Sequence, residues 1–165
     1  MDLFIEKIVK RRKSAADIGL TILIIAAAFV LSYLAVIMIP GLALFLVAGF
    51  AYLAYFLISR RNIEYEYAVT NGDIDIDLII DQKKRKRVFS GNCKEFEQVA
   101  RVKSDKYTKE IRECKNVKDY TSRNGNAEVW FIYLKKNQPT VILFEPNSQM
   151  IDSLFTFAPR VVYRY

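Results

Sequence analysis

The densest run of ionisable side chains in this chain is Lys83-Lys84-Arg85-Lys86-Arg87, and Arg60-Arg61 forms a smaller basic pair upstream. Clustered ammonium and guanidinium groups bind phosphate oxygens or carboxylates, and they supply neither a nucleophile nor a general base at neutral pH. Just before the run, Asp73, Asp75 and Asp77 occupy alternate positions. That spacing imitates the opening of a calcium loop. The sixth position, which such a loop needs as glycine, is Leu78, and the acidic twelfth is Lys84, so strand alternation accounts for the aspartates. The chain has no histidine, which removes the commonest general base and most zinc sites. Cys93 and Cys114 therefore lack the usual activating partner. No glycine-rich phosphate loop, nucleophile elbow or CxxC pair occurs. The expectation is no enzyme, no metal and no cofactor, with a tethered enzyme using the acidic face as the weakest option.

The charges must be carried by strands. Ile63, Tyr65, Tyr67 and Val69 alternate with Glu64, Glu66, Ala68 and Thr70; after Asn71-Gly72, Ile74, Ile76, Leu78 and Ile80 alternate mostly with aspartates. Asn-Gly between two alternating runs specifies a tight hairpin with positive φ at both turn residues. The register it implies opposes Val69 to Ile74, Tyr67 to Ile76, Tyr65 to Leu78 and Ile63 to Ile80, and on the other face Glu66 to Asp77. Opposed carboxylates disfavour pairing unless a cation is near. A third strand through Arg85–Ser90 would bring part of the basic run alongside. Two roles for the run stay open. It neutralises Glu66, Asp77 and Asp81, or else Arg60, Arg61, Lys83, Lys84, Arg85, Lys86 and Arg87 meet anionic lipid of the inner leaflet or a protein partner.

The second role depends on where the strands start. Ile18–Ile58 contains no charge, and at 1.5 Å per residue one helix of that length would be about twice the bilayer core. Pro40-Gly41 breaks it, so the sequence predicts two spans, Ile18–Ile39 and Leu42–Ile58. Lys7 and Lys10–Lys13 precede the first span and Arg60-Arg61 follow the second, which puts both ends in the cytoplasm. The expected location is the plasma (inner) membrane, multi-pass. A cleavable secretory signal is the competing reading, and it is disfavoured because apolar residues continue past Ala26–Ala28. With no ionisable group inside, the spans read as an anchor. Residues 1–17 form a basic amphipathic segment, either a short helix at the membrane surface or a charged lead-in. Cys93 and Cys114, facing a reducing compartment, are expected as free thiols.

Past Ser90-Gly91-Asn92, Lys94–Lys118 suggests a short helix or irregular strand. Glu128–Leu134 and Thr140–Phe144 read as a second hairpin joined by the polar turn Lys135–Gln138. Pro146-Asn147-Ser148 opens a helix with Met150, Ile151, Leu154 and Phe155 on one face, and Pro159 stops it, leaving 159–165 as a tail. The soluble domain is thus 62–158. Outside Arg60, Arg61 and Lys83–Arg87 its charge is nearly balanced, unlike a nucleic-acid surface.

Tyr67-Ala68-Val69-Thr70-Asn71-Gly72, a second alternating strand, basic residues leading into Val88-Phe89, a later strand pair and a helix from Asn147-Ser148 together resemble the bacterial pleckstrin-homology-like (PH-like) domain, which often follows paired membrane helices. The resemblance covers about 62–157 plus the helical hairpin. It implies an α+β, mainly-β domain, a bent and partly open β-barrel capped by the C-terminal helix, used for binding. No ligand residues carry over. The expected function is a membrane-anchored, non-enzymatic adaptor presenting this domain to a protein or to anionic lipid. The alternative is an accessory subunit of a membrane transport or envelope-maintenance complex that acts through its helices.

Overall fold

In the computed structural model, which describes residues 4–135 and 138–164, Phe4–Lys10 is a β-strand, β1. This corrects both readings of the segment, since it is neither a surface helix nor merely a charged lead-in; Asp2 and Leu3 lie outside the described residues. β1 runs antiparallel to β2 (Ile63–Thr70), with Phe4 opposite Thr70, Lys7 opposite Tyr67 and Lys10 opposite Glu64. Its apolar residues fit either period, but only the strand buries Val9 and aligns Ile5 and Lys7 beside it, leaving Phe4 and Ile8 exposed. Lys7 Nζ donates to the carbonyl of Glu145 at 2.8 Å, an anchor that a surface helix would forgo.

Ser14 caps the next element. Its hydroxyl accepts from the Asp17 amide and its own amide donates to the Asp17 carboxylate, a reciprocal capping box that starts helix α1, Ala15–Met38. One 3-10 turn at Pro40–Leu42 reverses the chain into α2, Ala43–Ser59. By length and composition, α1 and the run Pro40–Ser59, in which the 3-10 turn continues into α2, could each cross a membrane, and the break falls where proline interrupts the ladder.

Beyond α2 the Asn71-Gly72 turn has φ of 51° and 87°, positive at both residues as the hairpin requires, and leads to β3, Asp73–Ile80. A second turn at Asp81-Gln82, also positive in φ at both positions, leads to β4, Lys84–Asn92. The first sheet has the order β1-β2-β3-β4. The segment that the sequence left as a short helix or irregular strand contains strand β5 (Gln98–Arg101), a single turn of helix α3 (Lys109–Arg112) and strand β6 (Asn116–Asp119). Then come β7 (Trp130–Leu134), β8 (Thr140–Phe144) and helix α4 (Ser148–Phe157), whose cap residue Asn147 accepts from the Met150 amide. The β7–β8 pair is the expected second hairpin; Lys136 and Asn137 of its turn lie outside the described residues. The second sheet has the order β5-β7-β8-β6, and β6 joins it parallel to β8.

The chain divides into two compact units. One is Arg12–Ile63 with Ile80–Lys84, and the other holds both sheets and α4. Within the second, Tyr67 packs edge-on against Phe144 with ring centroids 5.9 Å apart, and its hydroxyl donates to the Tyr120 carbonyl at 2.6 Å. Burial pushes that phenol far above its ordinary value, so it stays a donor. Val161 and Tyr163, expected as tail, bond the backbone of Val99 on β5, and Val162 is buried. Among the described residues the sheets are separate ladders, not a closed barrel.

Candidate functional site

The basic run and the aspartates meet on the outer face of the first sheet. Arg87 reaches Asp77 at 2.6 Å and Asp75 at 2.7 Å, and Arg85 approaches Glu66 to 2.5 Å. Glu66 and Asp77 are only 5% and 7% exposed, whereas both arginines are about half exposed. Glu66 Oε2 has no hydrogen-bond partner among the described residues, and the Arg85 charge is its compensation. Burial raises the Glu66 carboxyl above its ordinary value; Glu6 adds to the rise, Arg85 opposes it and Asp77 adds again. The hydrogen bond that Arg87 donates to Asp77 raises its guanidinium further above its ordinary value. This arrangement neutralises carboxylates that strand alternation forces together. For Arg85 and Arg87 the neutralising role is the one the geometry supports.

The other candidates separate from them. Arg61 pairs with Asp17 and so ties the start of α1 to the end of α2. Arg60 lies over the Phe56 ring, 4.3 Å from its centroid. Lys83 bonds Asp81 at 3.0 Å and stands over Tyr55; that bond lowers the Asp81 carboxyl and raises the Lys83 ammonium. Lys84 and Lys86 are exposed and have no ion-pair partner among the described residues. The aspartates join no metal-holding group among those residues. Cys93 is a buried free thiol that burial pushes up in pKa, which makes it a poor nucleophile.

One feature was hidden from the sequence. Arg87 and Asn92, an odd and an even position of β4, both reach aspartates on the same face of β3, Asn92 bonding Asp73 at 2.6 Å. Strict alternation forbids this, so β4 carries one extra residue, a β-bulge, between them. The bulge turns Phe89 inward, where it lies near Phe96 and lines a groove of about 340 Å³ with Asn116, Lys118, Leu134, Gln138, Thr140 and Ile142. Gly91 permits the approach, because a Cβ there would stand 2.9 Å from Phe96 and 3.0 Å from Phe89. The only trace in sequence is a glycine late in the strand.

A family model described as bacterial PH-like domain (DUF6106) matches residues 1–164. No curated protein and no solved structure matches the chain.

Proposed function

The chain belongs to the bacterial PH-like domain family, and from that premise we propose that it is a membrane-anchored, non-enzymatic binding protein. In this reading α1 and α2 are the anchor and the two sheets are the binding domain. The observation that carries it is the pairing of β1 with β2. These strands lie on either side of the helical hairpin in sequence, so a folded sheet requires both to be on one side of any membrane the helices cross. The basic flanks make that side the cytoplasm. Cleavage of a secretory signal would remove β1 from its sheet, which weighs further against that reading. Binding in place of catalysis is supported by the lack of histidine and by the commitment of the clustered acids to arginines.

Impermeant thiol labelling tests the placement. In a Cys93→Ser, Cys114→Ser background, single cysteines at Glu6 and Lys103 should resist labelling in intact cells and react after lysis, while one at Gly41 should react from outside. Labelling of Glu6→Cys or Lys103→Cys in intact cells sinks the cytoplasmic placement.

With Arg61, Lys83, Arg85 and Arg87 engaged internally, Arg60 and Lys84 are the members of the basic set in the helical unit left for anionic headgroups, each able to contribute up to about 1 kcal/mol. In nanodiscs, anionic lipid should raise the unfolding midpoint of the wild type and not of Arg60→Gln/Lys84→Gln. An equal rise in both proteins removes lipid from the partners.

A further inference from the structure

β4 and β6 are each the last strand of their sheet, so one row of backbone N–H and C=O groups on each faces away from its own ladder. Tyr120, which follows β6, closes one end of the seam by donating its hydroxyl to the Val88 carbonyl at 3.3 Å. Beyond that closure lies the groove walled by Phe89, Leu134 and Ile142. Lys118 lines it, Lys115 and Lys135 adjoin its walls in sequence, and Lys86 stands three residues before Phe89 on β4; among the described residues none of the four is in an ion pair. The neighbouring acids are already engaged, Asp119 with Thr121 and Arg123, and Glu113 with Lys109.

Resting on the reading as a binding module, the geometry points to this seam as the docking site for an extended acidic segment of a partner protein. Its backbone would pair with an open strand edge, its apolar side chains would enter the groove, and its carboxylates would face Lys86 and Lys118. Only another extended chain can match a row of alternating donors and acceptors, and uncompensated lysines select carboxylates. The chain already uses the same chemistry once, since β3 carries alternating acidic and apolar residues against the basic side chains of β4.

The test uses the full chain in nanodiscs of zwitterionic lipid, with a fluorescein-labelled octapeptide of alternating aspartate and valine. Two comparison peptides replace aspartate by lysine, or valine by proline to remove backbone donors. The aspartate–valine peptide should bind at least about tenfold more tightly than either, and Lys86→Glu/Lys118→Glu should weaken it at least about tenfold. Buried Trp130, the single tryptophan, reports by unchanged emission that the variant is folded. Equal binding of the three peptides, no binding at about 1 mM, or an unaffected folded variant overturns the proposal. So does concentration-dependent dimerisation lost in Lys118→Glu, which would assign the seam to a second copy. The three-peptide comparison on wild type stands even if the variant unfolds, and failure here leaves the thiol-labelling result, and the anchored placement, untouched.

Discussion

Arg85→Gln/Arg87→Gln should lower the stability of the two-sheet unit by about 3 kcal/mol, the lower end for breaking buried pairs because both guanidinium groups are half exposed. The loss arises from what is left behind. Glu66 and Asp77 stay almost fully buried beside one another and beside Glu6, without a compensating cation. Urea unfolding in nanodiscs, followed by Trp130 emission, measures it. Adding Glu66→Gln and Asp77→Asn should restore most of the loss. A midpoint unchanged in the double arginine variant would mean that the pairs contribute nothing.

The same cluster sets a pH dependence. Because the folded Glu66 carboxyl lies above its ordinary value of 4.5, the folded state holds more protons than the unfolded one between that value and the raised one. Stability from this group is therefore fully present below 4.5 and is lost as pH rises from there through the raised pKa. Removing Arg85 takes away the charge that restrains the shift, so the deficit of the arginine variant should shrink on acidification. A deficit that widens towards acid would contradict the assignment to Glu66.

Whether an element was legible in the sequence depended on whether its cause was local. Pro40-Gly41 broke the apolar run, Asn71-Gly72 demanded positive φ, and Asn147 capped α4; each is written in adjacent residues. β1 was not, since its strand state is imposed by β2 across the whole helical hairpin, and its own residues suit a helix as well. The Asp81-Gln82 turn has no local signature, because it adopts positive φ without a glycine or asparagine. β6 joins parallel to a strand two elements later, a pairing no short-range pattern encodes. The basic run was visible as charge, but its division depended on parity. Arg85 and Arg87 face the acids while Lys84 and Lys86 do not, and the bulge that then inverts the parity at Phe89 creates the groove.

Gly72→Val should destabilise the chain by about 3 kcal/mol or more, beyond what the turn alone demands. At φ of 87° a side chain carries left-handed strain of about 1–2 kcal/mol. Gly72 is also buried, and a Cβ there would stand 2.9 Å from Cys93 Sγ and 2.9 Å from Phe157 Cβ, which adds roughly 1–3 kcal/mol of overpacking. The Gly72 carbonyl accepts from the Cys93 amide at 2.8 Å, so the turn cannot retreat without breaking that bond. Gly72→Ala should already show most of the effect, because the clash begins at Cβ. Cys93→Ala removes one of the two opposing atoms and should recover part of the loss in the double variant; Phe157 on α4 stays in place and should prevent full recovery. Urea midpoints read through Trp130 decide it. If Gly72→Ala unfolds with the wild type, the hairpin turn and α4 do not meet as described.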